Sequence, residues 1–247
     1  MELGKCFYYD ISWNFNEEGE PSLKNEEEEN KVRIISSNDG QPVTIENKNP
    51  FSSHKTLGVM ENPSGNYQDE YQNILQKSQT WHRRISTQNL GRPELRLFYY
   101  SFYLPSLRYH LTIGTFTTDQ LDTIQHPLLQ TLLFRMGYNR NMPKAVIYGP
   151  NSVGGMGFQH LFVVQGTQKL KHILHAYRHH TSLYGIIHTA LQWAQHIAGI
   201  SMSILMDTNT NIPSLQKERW IITLRSYLHQ SRLQPVSYTH LTLPTIA

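Results

Sequence analysis

The sequence predicts an α+β protein in which a small antiparallel β element precedes a mainly helical region. Residues 1–62 contain short aromatic and β-branched runs separated by turn-forming residues, as strands do. After residues 62–65, Asn-Pro-Ser-Gly, apolar residues recur every three to four positions, the period of an amphipathic helix. The chain has 247 residues, 38% of them hydrophobic, which suffices for one sizeable core or two small ones.

Charge and period change together near residues 60–66, where we place a domain boundary. We predict the β element over residues 1–62 and the helical region over residues 63–235. Residues 1–50 carry 5 Lys and Arg against 11 Asp and Glu, whereas residues 51–247 carry 17 against 8. The second segment could therefore attract a polyanion, although ordinary solvated surfaces carry a similar charge.

The β element is predicted from short segments of the N-terminal region. Residues 6–15 read as a strand, with residues 32–36 as its partner. Residues 16–30, which include four consecutive glutamates, are predicted to form a flexible hairpin tip because they are too charged to pack. Residues 43–45 and 56–59 are two further strand candidates.

Helices are predicted along the rest of the chain. The first covers about twenty residues, with Tyr67 and Ile85 at the two ends of its apolar face. The second opens at Pro93 and breaks at Leu104-Pro105. The third begins with a capping box of Thr117 and Gln120 and contains Pro127, which is expected to kink it. Further helices are expected over residues 157–176, 181–198 and 213–229.

Residues 236–247 resemble the translation of a sequencing adapter and are expected to be an artefactual tail. The alternative is a genuine Thr- and Leu-rich tail. The predicted fold therefore ends at residue 235.

Composition excludes several classes of protein. The single cysteine, Cys6, cannot form an internal disulfide or a cysteine-based zinc site, which favours the cytoplasm or nucleus. The N-terminus lacks the basic start and apolar run of a signal peptide. No window reaches the roughly 18 apolar residues of a membrane span, so no membrane association is expected.

Two motifs suggest ligand sites but lack the residues that such sites need. Residues 149–157 are glycine-rich, yet Gly155 occupies the lysine position of a phosphate-binding loop, so a turn leading into a helix is the better interpretation. His172, His175 and His179 share a helical face, but no carboxylate or cysteine accompanies them. A solvated basic surface is therefore favoured over a metal site.

Arginines next to aromatic residues form a candidate nucleic-acid-binding motif. Arg83 and Arg84 follow Trp81, and Arg92 precedes Phe98. Positive charge beside aromatic planes is typical of surfaces that follow a nucleic-acid backbone. We expect the three arginines to contact phosphates, and Trp81 and Phe98 to lie in the core.

Five short motifs, in this order, resemble reverse transcriptases of non-LTR-type retrotransposons, especially those of algae and other protists. The motifs are residues 3–9 with Trp13, 55–59, 103–109, 143–146 and 154–158. The resemblance covers most of residues 3–230. It implies a fragment of an RNA-directed DNA polymerase that comprises the end of the palm, the primer grip and the thumb.

The resemblance also implies roles for individual residues. Lys5 would lie beside the phosphates of the incoming nucleotide, and Leu57, Gly58 and Val59 would grip the primer end. The helices after Asn62 would hold an RNA/DNA primer–template duplex weakly and without sequence preference. The rest of the palm and the fingers would be the protein partner.

The aspartates that bind Mg²⁺ in that family lie upstream of Lys5 and are missing from this sequence. Phosphoryl transfer needs them, so the chain alone is expected to be inactive and to hold no cofactor, although the full-length family uses Mg²⁺.

The alternative is a non-catalytic helical module that binds nucleic acid, or binds protein through its aromatic faces. Salt distinguishes phosphate contacts, which weaken steeply with ionic strength, from apolar docking, which does not. A third possibility is a fragment without stable function, because half a palm leaves strand edges unpaired.

Overall fold

The computed structural model describes residues 7–17, 19, 21–24, 32–35, 42–215 and 219–233. Lys5 and the predicted tail over residues 236–247 lie outside these residues. Short strand pairs precede a series of helices, which confirms the predicted α+β class. The chain divides into two compact units, Met1–Asn73 and Ile74–Ala247. This division falls inside the first helix, and the predicted domain limits stay a prediction.

The first unit contains three-residue strands that associate in pairs. Among the described residues, three pairs are antiparallel, as predicted, and the pair of β1 with β6 is parallel. In chain order the strands are β1 (Phe7–Tyr9), β2 (Trp13–Phe15), β3 (Pro21–Leu23), β4 (Arg33–Ile35), β5 (Pro42–Thr44), β6 (Glu46–Lys48), β7 (His54–Thr56) and β8 (Val59–Glu61). The antiparallel pairs are β2 with β3, β4 with β5, and β7 with β8.

The predicted pairing of residues 6–15 with residues 32–36 is wrong. Residues 10–12 separate β1 from β2, and each of these strands has a different partner. β2 pairs with β3, which lies in the segment that we predicted to be a hairpin tip. The local hairpin closes a shorter loop than a pairing across the acidic segment, so it costs less chain entropy.

Residues 56–59 were predicted to form one strand, and this prediction is wrong. They contain the turn between β7 and β8. Leu57 and Gly58 both have positive φ angles, 52° and 94°. Positive φ at both central residues is characteristic of the type I′ turn, whose twist matches that of the two flanking strands.

The first helix, α1 (Gln68–Thr87), has the predicted length of twenty residues. Ile74, Ser78 and Ile85 are buried along one face, as the sequence period indicated. The side chain of Asn66 accepts a hydrogen bond from the Gln68 amide at 3.0 Å and so satisfies one free N–H at the helix start.

The second helical segment continues past the predicted break at Leu104-Pro105, and that prediction is wrong. α2 (Arg92–Phe98) leads into a π-helical turn, Tyr99–Tyr103, and then into α3 (Leu104–Ile113). A proline lacks the N–H of a regular helical bond and its ring clashes with the preceding turn. The wider π-helical turn immediately before Pro105 accommodates both effects.

The capping box that starts α4 (Thr118–Arg135) is confirmed. The Gln120 amide donates to Thr117 Oγ1 at 3.3 Å, and the Thr117 amide donates to Gln120 Oε1 at 3.0 Å. Pro127 lies inside this helix. A short helix that was not predicted, α5 (Lys144–Tyr148), follows.

Three more helices follow among the described residues of the second unit: α6 (Leu161–His179), α7 (Ser182–Ala198) and α8 (Arg219–Gln230). α7 ends at the predicted residue, Ala198, and begins one residue later than predicted, because Thr181 is its N-cap. α6 begins later than predicted because His160 caps it, its Nδ1 accepting from the Phe162 amide at 3.1 Å. α8 also begins later than predicted, since residues 213–215 form a separate 3₁₀ turn.

The core of the second unit is built around α6, which contacts α3, α4, α7 and α8. Gly166 allows α8 to approach closely, because a Cβ at this position would lie 2.1 Å from the ring of Tyr227. Within the described residues, no helix is both long enough and apolar enough to cross a membrane.

Candidate nucleic-acid interface

Arginines from α1, α2 and α4, and one from the connection after α4, lie at one end of the second unit. Arg135, the last residue of α4, donates hydrogen bonds to the carbonyl oxygens of Ser86, at 2.5 Å, and Gln88. The end of α4 is thereby fixed against the connection between α1 and α2. We call this region the basic end, defined by Arg83, Arg84, Arg92, Arg96, Arg135 and Arg140.

Arg92 connects the start of α2 to the residues that follow α4. Its guanidinium lies over the ring of Tyr138, 5.1 Å from the ring centroid. Gly137 has a φ of 78° and no side chain, and a Cβ there would lie 3.2 Å from a guanidinium nitrogen of Arg92. Arg92 itself is exposed, so its charge faces solvent while the stacking contact restricts its position.

Arg83 and Arg84 lie exposed in the last part of α1. The Arg84 guanidinium lies 5.4 Å from the Trp81 ring centroid. Trp81 is held in turn by a 3.0 Å hydrogen bond from its Nε1 to Ser106 Oγ. Trp81 also packs edge-on against Phe98, which is buried as predicted. Trp81, held by Ser106 and Phe98, therefore supports Arg84.

Arg140 adds an exposed cation beside an exposed aromatic ring. Its guanidinium lies 4.2 Å from the ring centroid of Phe134, which is 58% exposed. In residues 83–96 and 134–142 the one carboxylate is Glu94. Asp119 and Asp122 belong to the first turns of α4, whose eighteen residues extend about 27 Å. The basic end therefore carries a clear excess of positive charge.

The glycine-rich segment forms the predicted turn, and this turn lies beside the basic end. Arg96 donates to the carbonyl oxygen of Met156 and, at 3.1 Å, to Asn151 Oδ1. The hydroxyl of Tyr100 donates to the carbonyl oxygen of Gly157 at 2.5 Å. A Cβ at Gly155 would lie 2.2 Å from the carbonyl oxygen of Gly149, so glycine is required at this backbone crossing.

An ionic cluster connects α4, α5 and α6 away from the basic end. Asp122 accepts hydrogen bonds from Lys144 Nζ at 2.8 Å and from His160 Nε2 at 2.6 Å. Burial alone would raise the pKa of the Asp122 carboxyl, but these two hydrogen bonds and charges outweigh burial and lower it. Both ring nitrogens of His160 are engaged, one with Asp122 and one with the α6 amide, so this cluster stabilises the helix starts.

The predicted primer-grip residues lie in the first unit, in the β7–β8 hairpin. Leu57 is 85% exposed at its tip, whereas the side chain of Val59 is fully buried and supports the hairpin from inside. Glu70 accepts a 2.7 Å hydrogen bond from the Met60 amide. Asn73 donates to the Gly58 carbonyl oxygen at 3.3 Å. The turn therefore presents one apolar side chain on an anchored hairpin.

Of the predicted site residues, Arg83, Arg84 and Arg92 come together at the basic end. Leu57, Gly58 and Val59 share the hairpin, and Lys5 lies outside the described residues. The sequence prediction missed Arg135 and Arg140, which are some fifty residues from Arg83 and Arg84 in sequence. One local signal was present, since a basic residue in the last turn of a helix complements the helix dipole.

The three histidines of α6 are all exposed, and the rings of His175 and His179 lie 4.6 Å apart. Among the described residues, no group of three or more His, Cys, Asp or Glu side chains is placed to hold a metal ion.

Comparisons with protein-family models, with curated proteins and with solved structures gave no match to this chain.

Proposed function

We propose that this chain is the primer- and template-binding part of a retrotransposon-type RNA-directed DNA polymerase, and that the basic end contacts the phosphate backbone of the duplex. The observation that carries the proposal is that the segments bearing the six arginines, residues 83–96 and 134–142, are joined through contacts of Arg135 and Arg92 and contain one carboxylate, Glu94. The resemblance in motif order supports the same assignment.

The contacts at the basic end favour binding without sequence preference. Guanidinium groups bind phosphate oxygens in a bidentate manner and at any sequence, and they contribute affinity through release of counterions. Arg84, Arg92 and Arg140 are each placed over an aromatic ring, which limits the entropy lost when they bind. We therefore propose backbone tracking and no reading of base edges.

The β7–β8 hairpin supports a role at the primer end. An exposed leucine with a left-handed backbone is unusual, and such outliers concentrate at functional sites. In this proposal the Leu57 side chain packs against the sugar and base of the terminal nucleotide. Gly58 supplies the turn and Val59 fixes the hairpin from inside.

The Mg²⁺ ions of the reverse transcriptase family do not fit the described residues, because no suitable group of carboxylates is present among them. We assign no catalytic step to this chain. Lys5 is retained as an auxiliary residue that the resemblance alone proposes.

The proposal is tested by measuring the affinity of the chain for an RNA–DNA hybrid at several salt concentrations, by fluorescence anisotropy. On B-form DNA each phosphate contact contributes about 0.9 to the slope of log affinity against log salt concentration. Substitution of one phosphate-contacting residue therefore reduces the magnitude of this slope by about one. We expect Arg83→Gln/Arg84→Gln to reduce the slope by about two and to weaken binding equally for unrelated sequences.

Arg108→Gln is the matched control, since Arg108 is an exposed arginine of α3 outside the basic end. It should change the slope much less than the double substitution does. Equal effects of the two variants, or affinity that does not depend on salt, would contradict backbone binding at the basic end.

A second candidate function is protein binding, and one observation favours it. Four exposed apolar residues of α7 lie on a single face at helical spacing: Leu183, Ile186, Trp193 and Ile197. Such contiguous apolar surface is typical of interaction sites. Binding through this face would change little with salt, so the same titration separates the two functions.

A further inference from the structure

A cavity of about 230 Å³ opens next to the basic end, between α2, the residues that follow α4, and the glycine-rich turn. Its volume is below the roughly 300–1,000 Å³ of typical drug-sized ligand sites. Its lining combines two arginines, Arg92 and Arg96, with an apolar wall that includes Met136, Met142, Val146 and Met156.

The polar part of the lining favours an anion. Arg92 and Arg96 are one helical turn apart on α2, so their side chains emerge on the same face. Among the described residues, no carboxylate lines the cavity. Arg96 is positioned by Asn151 and the Met156 carbonyl oxygen, and Arg92 by Tyr138. Two positioned guanidiniums without a neutralising carboxylate suit a phosphate group.

The apolar part of the lining favours a planar ring system attached to that anion. Three methionines and Val146 form a wall of adaptable, polarisable surface, which accepts planar rings of different outline. The Tyr138 ring and the guanidinium stacked on it add planar groups of the kind on which bases stack. Inorganic phosphate would use the arginines and leave this wall exposed to water.

The glycine-rich turn keeps the cavity open and fixed in shape. The Gly157 amide donates to the Gly149 carbonyl oxygen at 2.8 Å, and the Gly155 amide donates to that of Pro150 at 3.0 Å. The Met156 amide donates to the Val146 carbonyl oxygen at 2.8 Å, which ties the turn to α5. These bonds within the turn indicate a preformed site.

We propose that this cavity binds a single unstacked nucleotide, with its phosphate on Arg92 and Arg96 and its base against the methionine wall. The inference rests on the proposed nucleic-acid function of the basic end and adds a defined subsite to it. One unpaired nucleotide of a bound strand, such as a strand end, would enter here while neighbouring phosphates lie along the basic end.

The probe is adenosine 5′-monophosphate, with inorganic phosphate and adenosine as the two half-ligands, measured by calorimetry on the full chain. We expect the nucleotide to bind at least ten times more tightly than either half-ligand. Equal binding of nucleotide and phosphate, or no nucleotide binding at all, would overturn the proposal.

Val146→Phe places a ring at the wall of the cavity, and we expect it to weaken nucleotide binding at least fivefold. Val153→Phe is the matched control, because Val153 is 78% exposed and does not line the cavity. Equal nucleotide affinity of the two variants would overturn the assignment of the site.

Affinity of the same proteins for an RNA–DNA hybrid distinguishes the two proposals. If the wild type binds the duplex in a salt-dependent manner but does not bind the nucleotide, only the proposal of the subsite fails. If the wild type binds no duplex, the proposed function itself fails, whatever the nucleotide does.

Discussion

Lys169 is a single residue whose burial has a measurable consequence. It lies in α6, is 8% exposed, and donates a 2.6 Å hydrogen bond to Thr115 Oγ1. Burial disfavours the charged ammonium and lowers the pKa of Lys169 to about 7. In the unfolded chain the pKa of a lysine is about 10.4. Between these two values the unfolded state binds a proton that the folded state releases.

Stability should therefore rise as the pH increases from about 7 towards 10, because uptake of that proton by the unfolded chain becomes less favourable. Lys169→Met removes this dependence and should raise the free energy of unfolding at pH 7 by about 1–3 kcal/mol. Lys169→Met/Thr115→Val also removes the hydroxyl that would lose its partner. The test is urea unfolding of all three proteins from pH 6 to 9.5, and parallel pH profiles would refute the burial argument.

Single-residue predictions from sequence succeeded where a local rule decided the outcome. The capping box of Thr117 and Gln120 depends on four consecutive residues, and it formed as predicted. Burial of Phe98 followed from helical spacing. Burial of Lys169 could not be predicted, because its partner Thr115 is fifty-four residues away and their approach depends on how α6 packs against the end of α3.

At the scale of elements, the β7–β8 hairpin combines a favourable turn type with an unfavourable residue. Leu57 has a φ of 52°, which most residues with a Cβ avoid. Asn-Gly is the preferred pair for a type I′ turn because asparagine tolerates this conformation. The hairpin therefore retains a leucine at a cost in stability.

Leu57→Asn should raise the free energy of unfolding of the hairpin by about 1 kcal/mol, since it relieves the left-handed strain. Under the proposed function it should also weaken binding to a primer–template duplex, because the exposed apolar contact is lost. Leu57→Ala, which keeps the strain and removes the contact, is the control. Stability is measured by amide hydrogen exchange of β7 and β8. Unchanged protection in Leu57→Asn would contradict the strain assignment.

Long periodic helices were the elements that sequence predicted best. α1, α4 and α7 have apolar faces long enough for their period to be read without tertiary information. The three-residue strands are too short for a period of two to identify a partner. The continuation of α2 into α3 was missed because a π-helical turn, and not a break, precedes Pro105.

At the scale of the whole molecule, charge is distributed unevenly along the chain and again within the second unit. The positive excess after residue 50 was visible in the sequence, as were Arg83, Arg84 and Arg92. Their association with Arg135 and Arg140 was not visible, because it arises when the end of α4 packs against the connection between α1 and α2. The cavity beside Arg92 and Arg96 was not visible in the sequence either, because it forms between segments that are distant along the chain.

The basic end and the apolar face of α7 lead to opposite expectations for the bound state. Backbone binding covers residues 83–97 and 135–142 and leaves α7 exposed. Protein-type docking covers residues 183–197 of α7 and leaves the arginines free. The two outcomes involve separate segments of the chain, so one mapping experiment distinguishes them.

The measurement that tests the central claim most directly is hydrogen–deuterium exchange of the full chain with and without an RNA–DNA hybrid, read by mass spectrometry. We predict that the hybrid slows exchange in residues 83–97 and 135–142, that high salt abolishes this protection, and that α7 is unchanged. Protection of α7, or no protection at the basic end under low salt, would contradict the claim that the basic end binds nucleic acid.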